Sequence, residues 1–351
     1  MLIRTATSSA SARPCRTNPT PRRLEHAVRS ALAVAGAAAL LAGCGGGGTT
    51  TTSASTPAST PSSSTPSSTA ATQPATVLPR DVVNAPIKIA STTAGPVGYR
   101  EVGTGSPVLL ITGLSASMDD WQPDFVAGLA AAGHTVVVFD NAGVGQTAAL
   151  PSPLTITAMA DQTSALISAL RLGRPAVLGW SMGGMIAQAL TVLHPAQVSK
   201  LILAATQPGT GDALPVPAAA AAALVSGNPA EVLSVLFPPS AAAAAQAYAI
   251  GILRYPGFYQ ASSAIVADQT VAVRQWIAGG DPAGRRLGQI KIPTLVADGT
   301  LDRFNPVAND RMLVAAVPGA TLILYPGAGH AFLFQDSASF LPSVERFLGA
   351  S

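Results

Sequence analysis

The sequence predicts an α/β fold: an eight-stranded, mostly parallel sheet with helices on both faces and a helical cap inserted late in the chain. Three observations carry this. Short apolar runs rich in β-branched residues recur without polar alternation, the pattern of strands buried on both faces. Helix-length segments separate most of the later runs. From 207 to 289 the rhythm breaks, and alanine runs punctuated by prolines replace strands.

In chain order the predicted strands are 87–90, 98–102, 108–112, 135–140, 176–180, 201–205, 294–297 and 321–325, set by β-branched content and flanking breakers. Segments 156–172 and 182–193 are predicted helices between them. In the cap, residues 218–223 and 241–245 are strong helix formers, and Pro215, Pro217, Pro238 and Pro239 break them. The cap also holds Phe237, Tyr248, Tyr255, Phe258, Tyr259 and Trp276, which would either line an apolar pocket or simply pack the insert.

Upstream of residue 80 the chain is of another kind. Residues 1–43 read as an export signal: Arg4, Arg13, Arg16, Arg22, Arg23 and Arg29 precede an apolar stretch from 31 to 41 that is too short to span a bilayer. Its end, Leu41-Ala42-Gly43-Cys44, resembles a bacterial lipobox, which implies cleavage before Cys44, lipid on that cysteine and residence at the outer face of the cell membrane. Residues 44–79 are almost wholly Gly, Thr, Ser, Ala and Pro, a composition that cannot bury enough surface to fold and reads as a flexible tether. The expected folded domain is 80–351.

Charge and cysteine content narrow the function. The formal net charge is +3, but the leader alone contributes five positive charges in excess, so the remainder is slightly acidic. No basic patch follows residue 44, which argues against a nucleic-acid partner. Of the two cysteines, Cys15 leaves with the leader and Cys44 would be lipidated, leaving no thiol for a disulfide or a metal site.

The chemistry centres on Gly179-Trp180-Ser181-Met182-Gly183. The bare G-x-S-x-G pattern is weak, but here it directly follows a predicted strand and directly precedes a predicted helix, the context of a nucleophile elbow. A serine hydroxyl needs a base to become nucleophilic. His26 goes with the leader, His134 starts a strand at the wrong sheet edge and His194 follows the helix after the elbow. His330, in the loop after the last strand, opens on the same edge as Ser181. An acid must orient the imidazole. Asp298 and Asp302 follow the seventh strand, and Asp302, beyond the glycine turn, has the better reach. An oxyanion hole would take the backbone N–H of Met182 and, from the loop after the third strand, that of Leu114. Asp119, Asp120, Asp140 and Asp161 are expected to serve turns and helix starts.

Five segments together resemble the bacterial branch of α/β hydrolases that includes esterases and cofactor-free haloperoxidases: 114–121, 139–145, 179–188, 298–302 and 326–335. The resemblance covers 98–349 and implies a triad of Ser181, Asp302 and His330 that needs no metal and no organic cofactor. Serine at 181 separates the chain from the epoxide-hydrolase and haloalkane-dehalogenase branches, which carry aspartate there. Two positions depart from the pattern. Thr112-Gly113 stands where relatives commonly have His-Gly, so the order of the oxyanion loop must come from elsewhere, and Ala142 replaces a usual arginine. The expected activity is cleavage of a small acyl ester through an acyl-enzyme. The alternatives are perhydrolase or haloperoxidase-like transfer to peroxide, and a ligand-binding protein of negligible turnover on the same fold.

Overall fold

The computed structural model describes residues 76–349; the leader, Cys44 and nearly all of the tether lie outside them. Pro79, counted above with the tether, instead opens helix α1 (Pro79–Asn84). Proline suits a first helical turn, where its missing N–H has no partner to lose, and the Asp81 carboxylate accepts the Leu78 N–H at 2.8 Å.

All eight strands form one sheet in the order β1-β2-β4-β3-β5-β6-β7-β8. Strands β1 (Lys88–Thr92) and β2 (Gly95–Val102) form an antiparallel hairpin, and β2 pairs antiparallel with β4 (His134–Phe139). The hairpin is longer than the predicted runs because Thr92 closes its turn, donating its hydroxyl to the Gly95 carbonyl and accepting the Ala94 N–H. From there the sheet is parallel: β3 (Ser106–Ile111) lies between β4 and β5 (Ala176–Trp180), followed by β6 (Leu201–Ala204), β7 (Thr294–Gly299) and β8 (Thr321–Tyr325). Every residue of β5, β6 and β7 is buried, as strands covered on both faces must be.

Helices α2 (Pro123–Ala131), α3 (Ile156–Ala169) and α4 (Met182–Leu193) cover the sheet. Helix α3 stops three residues before the predicted end. Arg171 takes a left-handed φ of 53°, the Leu172 N–H donates to Ile167 O and the Arg171 N–H to Ser168 O, a Schellman closure that halts the helix. The insert between β6 and β7 is helical as expected: α5 (Ala218–Leu224), α6 (Pro229–Leu236), α7 (Ala242–Ile252) and α8 (Ser263–Ile277). Helices α9 (Val307–Ala316), α10 (Phe332–Gln335) and α11 (Ser337–Gly349) complete the fold. Because β3 and β5 to β8 run the same way, the loops after them open on one edge, and the cap sits over it.

Candidate active site

Ser181 occupies the turn between β5 and α4 with φ 58° and ψ −122°, a conformation that costs a non-glycine residue about 1–3 kcal/mol. The surroundings enforce it. The Ser181 N–H donates to Ala204 O at 2.9 Å, while its carbonyl accepts the Gly184 N–H at 2.9 Å and the Thr206 hydroxyl at 2.7 Å. Glycine is required on both sides: a Cβ at Gly179 would collide with the Gly183 carbonyl, and one at Gly183 with the backbone of Ile111 and Thr112. Helix α4 can therefore start directly against the sheet, and Ser181 is held clear of both.

His330 lies in the loop between β8 and α10, and its Nδ1–H donates to Asp302 Oδ2 at 2.6 Å, both side chains being almost completely buried. Asp302 is fixed in turn because its Oδ1 accepts the N–H groups of Phe304 (2.6 Å) and Asn305 (3.0 Å). The loops after β7 and β8 are laced by Leu301 N–H to Ala328 O and Thr300 N–H to Tyr325 O. The indole N–H of Trp180 donates to His330 O at 3.1 Å, joining the histidine loop to the strand that delivers Ser181.

Of the two carboxylates offered by the sequence, Asp302 is the one on His330. Asp298 accepts the Gly299 N–H through Oδ1 and the Asn305 amide through Oδ2. Burial, with the nearby charges of Asp302 and Asp310, holds the Asp298 carboxyl well above the usual carboxylate range. Asn305 also donates to Asp310, whose carboxyl burial pushes up to about 8. A cluster of carboxyls that burial raises above their usual range thus backs the Asp302 loop.

The other histidines sit apart: His134 meets Glu345 at 3.0 Å, and His194 meets Asp161 at 2.8 Å. The four acids assigned above to turns divide. Asp120 accepts the Ser117 N–H in a 3-10 turn at 118–120, as expected, and Asp140 accepts the Met118 N–H and the Tyr259 hydroxyl. Asp119 instead forms a fully buried ion pair with Arg100 at 3.0 Å. A buried guanidinium cannot stay without a counter-charge, which overrides the local turn preference. Asp161 lies within α3 and reaches His194, not a helix start.

Ser181, His330, Leu114 and Met182 line one cavity of about 630 Å³ whose remaining wall is mostly cap, including Pro215, Val216 and Ala221. The loop that carries Leu114 takes its order from two residues that the sequence did not single out. Asn141 donates its amide to Thr112 O at 3.0 Å, and Gln269 of α8 accepts the Ser115 N–H at 2.9 Å while Ser115 holds φ 67°. Both bonds hold the segment that begins at Thr112-Gly113. Gln269 lies 154 residues from Ser115 in sequence and is wholly buried, so no local signal marks it. None of the six cap aromatics lines this cavity: Tyr255, Tyr259 and Trp276 instead pin the cap by hydrogen bonds to Trp121 O, Asp140 and Gln207 O. Among the described residues no group of three or more His, Cys, Asp or Glu is placed to hold a metal ion.

The family model described as alpha/beta hydrolase fold matches residues 106–337. A Mycobacterium tuberculosis protein with the provisional name non-heme bromoperoxidase BpoC is 40% identical over 111 residues, which is 32% of this chain and 42% of that one. The match therefore spans less than half of that relative's length. Its crystal structure superposes with a TM-score of 0.58 at 26% identity, covering 72% of this chain and 95% of that one. A poly(3-hydroxyalkanoate) depolymerase of Ectopseudomonas oleovorans is 28% identical over 253 residues, 69% of this chain and 84% of that one. An alpha/beta hydrolase fold protein from Chitinophaga pinensis has a TM-score of 0.67 at 24% identity, covering 77% of this chain and all of that one.

Proposed function

We propose, from the premise that this chain belongs to the alpha/beta hydrolase fold family, that it cleaves a carboxylic ester through an acyl-enzyme on Ser181. The observation that supports this best is that a strained Ser181 shares a cavity with His330, which is locked by Asp302 at 2.6 Å. In this reading Ser181 Oγ attacks the acyl carbon and its proton passes to His330 Nε2. Asp302 stabilises the imidazolium and holds its tautomer. The N–H groups of Leu114 and Met182 receive the oxyanion. His330 returns the proton to the departing alcohol, and water, activated by the same base, releases the acid.

Labelling by a fluorophosphonate tests the proposal, together with turnover of p-nitrophenyl esters. The expected result is stoichiometric labelling of the wild-type protein and none of Ser181→Ala. Equal labelling of the two would overturn it, and tight apolar binding without turnover would favour a binding protein.

The stretch that is 40% identical to BpoC supports a second reading, transfer of the acyl group to peroxide. Halogenation that requires both acetate and peroxide, and is lost in Ser181→Ala, would identify it.

We also propose that the chain is exported and tethered through lipid on Cys44, on the strength of Leu41-Ala42-Gly43-Cys44. Metabolic labelling with a palmitate analogue should mark the membrane fraction of wild type and spare Cys44→Ala.

A further inference from the structure

The cavity at Ser181 has a neighbour. A second cavity of about 590 Å³ lies under the cap, with Leu233, Leu236, Ile252 and Val266 in its wall. Four residues border both spaces: Leu224, Val225, Thr270 and Arg274. Leu224 ends α5 and Val225 caps it, while Thr270 and Arg274 lie about one turn apart on α8. Helical spacing explains how one helix serves two chambers. Thr270, Val273, Arg274 and Ile277 form the stripe toward the first, and Val266, Thr270, Val271 and Arg274 the stripe toward the second. The edge common to both stripes is Thr270 and Arg274.

Both chambers are lined mostly by apolar side chains. The ionisable side chains lining the first are His330 and Arg274, and those lining the second are Asp120, Tyr248 and Arg274. Burial pushes the Asp120 carboxyl up to about 7, which makes it a weak counter-charge near neutrality. Arg274 itself is exposed and makes no side-chain hydrogen bond or ion pair with any described residue. A cation in the last turn of α8 complements the helix dipole, but that would be equally served from the face turned away from the cavities. A guanidinium offers five donors in a rigid fork that matches the oxygens of a carboxylate or phosphate.

Building on the ester-hydrolase reading of Ser181, we infer that Arg274 is an anion-recognition site and that the substrate is an amphiphilic acyl ester bearing a carboxylate or phosphate remote from the scissile bond. The apolar chain of such a substrate lies in the chambers, and its anion meets Arg274 at the partition. An ester of the same length without the anion fills the same apolar space but leaves the guanidinium unused.

The test compares 4-nitrophenyl esters of plain fatty acids with the monoesters of α,ω-dicarboxylic acids, graded from short to long. The readout is the ratio of kcat/KM, anionic over neutral, within each protein. For the wild type the ratio should reach about tenfold at a favoured chain length, expressed in KM, as a charge-assisted fork contact supplies. Arg274→Gln should bring it to about unity, and Arg274→Lys should retain part of it. A ratio unchanged by Arg274→Gln, or no chain length at which the anion helps, would overturn the inference. Esters ending in a phosphonate separate the two anions: a higher ratio for the phosphonate assigns a phosphate, a lower one a carboxylate. Should no ester turn over, the ester-hydrolase reading fails by itself. Calorimetry then decides on Arg274: α,ω-dicarboxylates that bind more tightly than monocarboxylates, with the difference lost in Arg274→Gln, support the site, and equal affinities refute it.

Discussion

The backbone N–H of Ser115 donates to Oε1 of Gln269 at 2.9 Å, across 154 residues of sequence. It joins the loop that presents Leu114 to a helix of the cap, so the geometry of the proposed oxyanion hole depends on where the cap sits. Gln269→Leu should lower kcat by about tenfold or more, since misplacing a positioned donor is costly, with a smaller change in KM. Gln269→Glu, which keeps an acceptor, should recover most of the loss. Steady-state kinetics on one ester separates these outcomes.

Asp302 and Asp298 offer a direct comparison. Asp302→Asn removes the acceptor for His330 Nδ1–H and should cost about 10³- to 10⁴-fold in kcat, because the imidazole is then held in the wrong tautomer. Asp298→Asn keeps an oxygen for the Asn305 amide and should cost far less. Equal losses in the two variants would refute the assignment of Asp302 as orienting acid.

Strain at Ser181 has a measurable counterpart in stability. Ser181→Gly relaxes a φ of 58° that a side chain resists and should be more stable than Ser181→Ala by about 1 kcal/mol, after glycine's extra chain entropy is allowed for. Thermal or denaturant unfolding of the two inactive variants measures it. If they melt alike, the turn is not strained.

The acid cluster behind Asp302 predicts how stability varies with pH. Asp310 has an ordinary carboxyl in the unfolded chain and one raised to about 8 in the fold. The folded state thus holds a proton that the unfolded state releases. Its contribution is fully present below about pH 4 and is lost as pH rises toward 8. Asp310→Asn keeps an acceptor for Asn305 and removes the titration. Its stability relative to wild type should rise steadily between pH 4 and 8; a difference independent of pH would contradict the raised carboxyl.

Gly183 tests the close packing of the elbow. A Cβ there would overlap the Ile111 carbonyl, which is backbone of a central strand and cannot swing aside. Gly183→Ala should destabilise by about 3 kcal/mol or more and sharply reduce activity, read by melting and by ester turnover.

The eight strands, the bounds of the helix at Met182–Leu193 and the positions from which Ser181 and His330 emerge were legible in the sequence. Those features are written in short-range patterns: β-branched runs without alternation, glycines two before and two after a serine, a histidine just past the last strand. Where local reading stopped short, the reason was local as well, as at Arg171, whose left-handed turn no propensity announces. Which carboxylate meets His330 was visible only in three dimensions: Asp298 lies near the end of β7 and Asp302 just past it, and the contact depends on the loop that packs on Ala328 and His330. The same holds for Asn141 and Gln269 on the loop that carries Leu114, Asp119 buried against Arg100, and Arg274 between two chambers. Each of these arrangements depends on residues far apart in the chain. A buried partner is selected by the space and charge left to it, and that information exists only once the cap has closed over the sheet.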